Sequence, residues 1–209
     1  LLAVAAVARG PLGDPQRAVG IYDRLLELDP GSLDVMRELD ALPGDFWVRL
    51  LYTHPAHWTE ELIETIAACR KVARYVDMPL QHIHEVMLQR MRRETSRAHI
   101  EDLIRRIRAG VPGMALRTTF IVGFPGETAA DFAELTQFVR DVEFDHVGVF
   151  TYSHEDGTSA HRYADDVPRR GKVSRRNALM SLQKRIVRRA QKRRLGEAVD
   201  RGQRLGAEA

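Results

Sequence analysis

Short apolar runs alternate with helical patterns along the central part of the chain. Four runs are rich in Val, Ile, Phe and Tyr, and they occupy residues 46–52, 73–79, 115–123 and 144–152. Such a composition is typical of buried strands. The segments between them repeat apolar residues at helical spacing, as Ile100, Leu103, Ile104 and Ile107 do. This alternation predicts βα units around a parallel sheet.

Capping residues predict where the helices begin. Thr59 and Ser96 precede two of the helical patterns, and Thr128 is followed by Asp131 in the spacing of a capping box. Two further helices are predicted before the first strand, over residues 15–28 and 32–42, with Asp14 and Ser32 as caps.

Four βα units fit half of a closed eight-stranded barrel, a partial barrel or an open doubly wound sheet. In each of these folds, ligands bind at the carboxyl ends of the strands. The segments to examine for chemistry are therefore "THPAHW", "PLQHIHE", "GFPGET" and "TYSHEDGT".

The segment "GFPGET" has the composition of a ligand-binding loop. Gly123 and Gly126 leave the backbone open to a ligand, Pro125 stiffens the turn, and Glu127 lies just before a helix N-terminus. A plain turn between strand and helix uses the same residues, so these residues alone favour neither interpretation.

Histidines follow two of the strands, namely His54, His57, His82 and His84. Histidine pairs at strand ends ligate the metal of some hydrolases, which is one alternative function. Such sites also need carboxylates, and none follows either pair in the expected way. We therefore favour histidines that hydrogen-bond strand ends and line a cleft, and we assign no catalytic residue and no metal ligand.

Composition and charge narrow the class of protein. The 209 residues are 44% hydrophobic and 29% charged, as in a globular protein. Twelve of the 32 Lys and Arg residues lie between Val167 and Gly196, where there is no Asp or Glu, so 20 basic residues face 29 acidic ones elsewhere. This tail predicts an amphipathic helix with Leu179, Leu182 and Ile186 on its apolar side. Its basic face suits nucleic acid phosphates, and a merely solvated helix stays open as the alternative.

The start of the chain carries little targeting information. The apolar opening "LLAVAAVA" has eight residues and no basic flank, so we expect neither a signal peptide nor a membrane span, and the default location is the cytosol. Because residue 1 is Leu, we expect the chain to begin inside a longer gene product, to be processed, or to have a misassigned start.

Four long motifs, in this order and spacing, resemble one known family. "FWVRLLYTHPAHWTEELIE", "YVDMPLQHIHEVMLQRMRRETSR", "LRTTFIVGFPGET" and "FDHVGVFTYSHEDGT" are similar to the second half of the radical S-adenosylmethionine core of the methylthiotransferases. The resemblance covers about residues 32 to 199. It is greater to the members that modify an aspartate of a small-subunit ribosomal protein than to those that modify tRNA. The tRNA enzymes tend to have a "PVQSGS"-like segment where this chain has "PLQH".

The resemblance implies an α/β fold of the partial (β/α) barrel type, of which this chain holds the second half, followed by the basic helix. It also implies chemistry in which S-adenosylmethionine on a four-iron four-sulfur cluster yields a radical that leads to sulfur insertion at a C–H bond. The implied partner is a ribosomal protein or the small ribosomal subunit, with RNA contact through the basic tail and no membrane. The implied cofactor-binding residues are Gln81, Arg93, Ile121, Gly123, Glu127, Phe150 and Tyr152.

Within the resemblance, Ile121 and Gly123 are expected against the adenosyl group, and Glu127 closes their loop. Gln81 ends its strand near the cofactor, Arg93 meets the methionyl carboxylate, and Phe150 and Tyr152 line the last strand end.

The chain departs from the family in its cysteines. The family holds the radical cluster with a CxxxCxxC loop and an auxiliary cluster with three more cysteines, but this chain has Cys69 alone. We therefore predict an incomplete methylthiotransferase that is inactive as this chain. The alternatives are a fragment of a tRNA methylthiotransferase, a non-catalytic module that binds ribosome or RNA, and the metal-dependent hydrolase.

The predicted domains are a divergent helical segment over residues 1–45, a half-barrel over residues 46–165 and a basic tail over residues 166–209. The resemblance places an RNA-binding TRAM domain after this tail.

Overall fold

The structure is a computed structural model that describes residues 32–207 and, before them, residues 17, 20, 21 and 24. The four early residues are helical, while the rest of the helix predicted over residues 15–28, with its cap Asp14, lies outside the described residues. The elements from residue 32 onward are α1 (Leu33–Ala41), β1 (Val48–Leu50), α2 (Glu60–Ala68), β2 (Val72–Asp77), α3 (Glu85–Arg90), α4 (Arg97–Gly110), β3 (Ala115–Val122), α5 (Ala129–Val142), β4 (His146–Thr151) and α6 (Arg169–Ala207). Short 3₁₀ helices lie at Pro55–His57 and Ser159–Arg162.

The strands form one sheet in the order β1-β2-β3-β4. β1 and β2 are parallel, with Val48 opposite Val72, and β2 and β3 are parallel, with Val76 opposite Leu116. Each strand is followed by a helix before the next strand of the sheet. The predicted α/β fold with a parallel sheet, consistent with part of a barrel, is confirmed.

By its internal contacts, the chain forms two compact units. The first unit comprises Leu1–Leu80 and Glu94–Arg117, and the second comprises Gln81–Arg93 and Thr118–Ala209. β3 therefore gives its first three residues to the first unit and the rest to the second.

The first unit packs α1, α2 and α4 with β1 and β2. Thr59 Oγ1 accepts a hydrogen bond from the amide of Leu62 at 3.1 Å, and Ser96 Oγ accepts one from His99 at 3.2 Å, so both predicted caps are confirmed. Ser32 lies at the N-cap of α1 but makes no side-chain cap hydrogen bond. The fully or nearly fully buried residues of the three helices are Val35, Met36, Leu39, Leu62, Ile63, Ile66, Ile100, Leu103, Ile104 and Ile107.

The second unit is built around aromatic side chains from β3, α5 and the turn after α5. The rings of Phe120, Phe138 and Phe144 form a triangle of edge-to-face contacts with centroid separations of 5.7 to 6.4 Å. α6 covers this unit with Leu179, Leu182 and Ile186, which are buried as the tail's pattern predicted. None of the helices in the described part of the chain is long and apolar enough to cross a membrane.

The capping box at the start of α5 is also confirmed. The amide of Asp131 donates to Thr128 Oγ1 at 3.2 Å, and the amide of Thr128 donates to Asp131 Oδ2 at 2.9 Å. Burial opposes ionisation of Asp131, but the hydrogen bonds from Thr128 and the charges of His84 and His82 outweigh it, so the pKa of Asp131 lies below its ordinary value. The cap therefore places a carboxylate at the positive end of the α5 dipole.

Candidate cofactor pocket

A pocket of about 400 Å³ lies at the carboxyl ends of β3 and β4, entirely within the second unit. It is lined by five of the seven predicted site residues, namely Gln81, Arg93, Ile121, Phe150 and Tyr152. Gly123 and Glu127 do not line it. The other lining residues are Arg90, Met91, Phe124, Thr151, Ser153, Thr158, Ser159 and Ala160. A volume of this order suits a ligand the size of a nucleoside with a short side chain.

Gln81 is held in an unusual backbone conformation at the base of the pocket. Its φ is +70°, a region that non-glycine residues seldom occupy. Its amide donates to the carbonyl of Thr119 and its carbonyl accepts from Ile121, both at 2.9 Å, so a single bridge attaches it to β3. Its side-chain Oε1 is buried and has no hydrogen-bond partner among the described residues. An unpaired acceptor costs about 1–3 kcal/mol, so this atom suits a hydrogen-bond donor on a ligand.

Aromatic and aliphatic side chains form the apolar wall of the pocket. Phe124 is buried and its ring lies 5.0 Å from that of Tyr152 in an edge-to-face contact. Phe150 is 62% exposed, which is high for a phenylalanine. Together with Ile121 these side chains offer the kind of surface on which a purine ring stacks.

The hydroxyl of Tyr152 stays protonated over the physiological range. Burial, and then the negative charges of Asp165 and Glu155, raise the pKa of Tyr152. Its hydroxyl oxygen lies 3.2 Å from His154 Nδ1.

The loop of residues 123–127 closes on itself behind the apolar wall. Gly123 and Gly126 have φ values of +72° and +79°, which glycine adopts without strain. The amide of Gly123 donates to Glu127 Oε2, that of Gly126 to Asp166 Oδ1, and that of Glu127 to the carbonyl of Phe124. These three amides are therefore not free to bind a ligand.

Two largely buried cations of α6 hold the loop of residues 123–127 in place. The Glu127 side chain is fully buried, with Oε2 3.3 Å from Arg175 Nη1, and the same nitrogen donates to the Glu127 carbonyl at 2.9 Å. The side chain of Lys172 passes next to Gly123, and its Nζ donates to both carboxylate oxygens of Asp165 at 2.6 and 2.7 Å. Both cations belong to α6, so the N-terminal half of this helix anchors the loop.

Each of the four predicted histidines contacts another protein group. His54 Nδ1 accepts from the amide of Ala56 at 3.2 Å, and His82 Nδ1 accepts from the amide of His84 at 3.0 Å. The rings of His54 and His57 lie 5.3 Å apart, and His84 Nε2 is 3.3 Å from Asp131 Oδ1. Over the residues whose positions are described, no group of three or more His, Cys, Asp or Glu is arranged to hold a metal ion.

The single thiol of the chain does not fit a cluster site. Cys69 is buried at the end of α2, where burial and then the charge of Asp40 raise the pKa of its thiol. Cluster ligands are thiolates, and this sequence supplies one cysteine in all. A cluster held by three cysteines is therefore not built from this chain's own residues.

Some pocket residues were missed by the sequence analysis. Phe124 stands between two residues that were assigned, and Arg90 lies three residues before Arg93. Thr158, Ser159 and Ala160 come from a loop whose 3₁₀ turn brings it to the pocket. Their small and polar side chains form no pattern that predicts a binding site, although Thr158 belongs to the strand-end segment "TYSHEDGT".

Comparison with known protein families shows to which superfamily this chain belongs. The model of the Radical SAM superfamily matches residues 22–139, which is more than half of the sequence. The chain belongs to the radical SAM superfamily. The cofactors of this superfamily are S-adenosylmethionine and a four-iron four-sulfur cluster.

Curated relatives confirm the predicted resemblance to the methylthiotransferases. The chain is 59% identical over 153 residues to the ribosomal protein uS12 methylthiotransferase RimO of Opitutus terrae, covering 73% of this chain and 32% of that protein. It is 48% identical over 165 residues to RimO of Akkermansia muciniphila, covering 79% of this chain and 36% of that protein. The chain thus spans about a third of the length of these relatives.

The fold has a counterpart among solved structures. Coproporphyrinogen III oxidase (HemN) from Escherichia coli, a radical SAM enzyme, superposes with a TM-score of 0.60 over 79% of this chain and 37% of HemN. The identity is 16%, so the likeness concerns the fold alone.

Proposed function

We propose that this chain is part of a RimO-type methylthiotransferase and that the pocket of its second unit binds S-adenosylmethionine. The observation that carries the proposal is the 59% identity to a uS12 methylthiotransferase over 153 residues, which is 73% of this chain. In this proposal the substrate is an aspartate of ribosomal protein uS12, and the enzyme acts in the cytoplasm.

Each of the seven predicted site residues has a role in this proposal. Ile121 and Phe150 flank the adenosyl group, and Tyr152 lines the strand end beside it. Gln81 Oε1 accepts a hydrogen bond from the ligand, because it is buried and its acceptor capacity is unused. Arg93 carries the positive charge that meets the methionyl carboxylate. Gly123 and Glu127 do not line the pocket. They act through the loop that carries Phe124, which Glu127 closes.

The chemistry of the cofactor itself is not supplied by this chain alone. S-adenosylmethionine provides radical chemistry when an iron–sulfur cluster reduces it. Because the chain has one cysteine, we propose that it binds the cofactor without cleaving it. The three predicted domains, over residues 1–45, 46–165 and 166–209, remain part of this proposal.

Binding of S-adenosylmethionine tests the pocket assignment. We expect equilibrium dialysis to show saturable binding to the wild-type chain. Phe150→Ala is expected to weaken that binding roughly tenfold, the value of one aromatic stacking contact. Tyr52→Ala removes an aromatic ring that is 77% exposed outside the pocket and is expected to leave binding unchanged. Absence of binding to the wild-type chain at millimolar ligand would contradict the proposal.

An anaerobic arm of the same experiment tests the cluster assignment. The chain incubated with iron and sulfide is expected to show no thiolate-to-iron absorption and no cleavage of bound S-adenosylmethionine. A stable four-iron cluster with cofactor cleavage would overturn this part of the proposal.

A second candidate function, contact with RNA, is favoured by unpaired cations on α6. Lys184, Arg185, Arg188 and Lys192 are exposed and make no hydrogen bond or ion pair to the other described residues. Lys184, Arg188 and Lys192 are four residues apart and so share one face of the helix. By contrast, Arg189 and Arg193 pair with Glu143, and Arg194 pairs with Asp145.

We expect these four cations, and not the ones paired with Glu143 and Asp145, to set the salt dependence of RNA binding. Replacing Lys184, Arg185, Arg188 and Lys192 with alanine should reduce the slope of log K against log salt by about 3 for single-stranded RNA. Replacing Arg189, Arg193 and Arg194 with alanine is the matched control and should change the slope by about 1 or less. Fluorescence anisotropy with a labelled oligonucleotide measures both, and equal slopes for the two variants would dismiss this surface.

A further inference from the structure

Arg90, the last residue of α3, reaches the loop that forms the wall of the pocket. Its Nη1 donates to the carbonyl of Pro125 at 2.9 Å, and its guanidinium lies over the ring of Tyr163 at 5.4 Å from the ring centroid. It also lines the pocket, three residues before Arg93. Two arginines therefore border one cavity, and the proposed function uses only one of them.

The place of Arg90 depends on the lack of a side chain at Gly126. A Cβ atom on Gly126 would lie 1.9 Å from Arg90 Nη1 and 2.9 Å from its Cζ. Any other residue at position 126 therefore displaces the guanidinium from the Pro125 carbonyl. The sequence allowed Gly126 to be part of a ligand-binding loop. In the structure, its missing side chain leaves the space that the guanidinium of Arg90 occupies.

The same loop is also held by the segment that precedes α6. Asp166 Oδ1 accepts from the amide of Gly126 at 2.7 Å, and the ring of Tyr163 contacts that of Phe124 at 6.2 Å. Arg90 stacks on this same tyrosine. It thus ties together the two segments between which Phe124 is held, and Phe124 is the buried aromatic of the pocket wall.

We propose that Arg90 is a positioning residue, which sets the pocket wall through Pro125 and Tyr163, while Arg93 is the arginine that recognises the ligand's charge. This inference rests on the proposed binding of an adenosyl ligand. Its physical basis is that the guanidinium of Arg90 already donates to a carbonyl and stacks on a ring, which fixes its plane. Arg90 thereby fixes the position of Phe124, on which the ring of the adenosyl ligand stacks.

Two ligands that differ in their carboxylate separate the roles of the two arginines. S-adenosylhomocysteine has the amino acid moiety, and 5′-methylthioadenosine has the adenosyl group without it. Arg90→Ala is expected to weaken both by the same factor, roughly tenfold, the value of one charge-assisted hydrogen bond. Arg93→Ala is expected to weaken S-adenosylhomocysteine alone. Gln89→Ala, an exposed neighbour on α3, is the control and should bind both ligands as the wild type does.

A double-mutant cycle tests whether Arg90 acts through the loop. Gly126→Ala should weaken both ligands because it displaces Arg90 and strains the loop at φ +79°. Arg90→Ala combined with Gly126→Ala should therefore be little worse than Gly126→Ala alone. Additive losses, or a loss in Arg90→Ala confined to S-adenosylhomocysteine, would overturn the inference.

Hydrogen exchange gives a measurement that does not depend on ligand. Backbone amides of residues 123–127 are expected to exchange faster in Arg90→Ala than in Gln89→Ala or the wild type. If the wild type bound neither ligand, the proposed function would fail, and the exchange rates would still decide the role of Arg90. Unchanged exchange in Arg90→Ala would refute that role.

Discussion

Replacing Glu127 with alanine is expected to lower the free energy of unfolding by about 3–5 kcal/mol, as breaking a buried ion pair usually does. The side chain of Glu127 has no exposed surface, and its Oε2 receives the amide of Gly123 and faces Arg175 at 3.3 Å. Removing the carboxylate leaves the amide of Gly123 without its acceptor. Arg175 keeps its hydrogen bond to the Glu127 carbonyl but loses its opposite charge in a largely buried site. The loop that carries Phe124 then loses the contact that closes it.

Urea denaturation followed by circular dichroism measures this loss. Glu127→Gln keeps the shape and one acceptor oxygen but removes the charge, so its loss should be clearly smaller than that of Glu127→Ala. Asp156→Ala is the control, because the side chain of Asp156 is 97% exposed and its ion pair with His161 is a surface one. A Glu127→Ala chain as stable as the Asp156→Ala chain would show that the buried pair contributes nothing.

The sequence predicted the elements whose causes are local. The caps at Thr59, Ser96 and Thr128 involve residues three positions away, so their patterns can be identified without knowledge of the fold. The strands and helices followed from apolar spacing in the same way. The exception is Ser32, which occupies the N-cap position but makes no side-chain bond, because a cap depends on the rotamer as well as on the residue type.

The surroundings of the loop 123–127 were not predictable from its own residues. Glycines and a proline indicated a turn, but they did not indicate that Lys172 would pass next to Gly123 or that Arg90 would pass next to Gly126. Both contacts join distant parts of the chain, and long basic side chains have no preferred partner in sequence. The two interpretations of the loop were therefore balanced, and the structure adds a third, in which the glycines make room for cations.

The basic tail shows the same limit in its charges. Its helix and apolar side followed from periodicity, but the sequence does not say which cations are neutralised. Five of the twelve form ion pairs, among them Arg189 and Arg193 with Glu143. The hydrogen bond from Arg193 is the main cause that lowers the pKa of Glu143, a residue held at φ +49° where α5 ends. The positions of Glu143 and Asp145 after α5 thus decide which of these arginines are paired.

Gly123→Ala is expected to cost about 3 kcal/mol of unfolding free energy, from two causes of similar size. The first is backbone strain, because a residue with a side chain at φ +72° costs about 1–2 kcal/mol. The second is overpacking, because the new Cβ would lie 2.3 Å from Lys172 Cγ and 3.1 Å from its Cβ and Cδ, which costs a further 1–3 kcal/mol or so. To relieve the clash, Lys172 must shift away from Asp165, and that weakens a largely buried ion pair.

Gly157→Ala separates these two causes. Gly157 lies in the same unit at φ +76°, but a Cβ there would meet nothing within 4 Å. Its substitution should therefore show the strain alone, about 1–2 kcal/mol. In a Lys172→Ala background, which removes the Cγ at 2.3 Å and the Cδ at 3.1 Å and leaves only the Cβ at 3.1 Å, the cost of Gly123→Ala should fall towards the Gly157 value. Equal costs for the two glycine substitutions in the wild-type chain would mean that Lys172 moves aside without cost, and that its contact with Gly123 does not hold the loop.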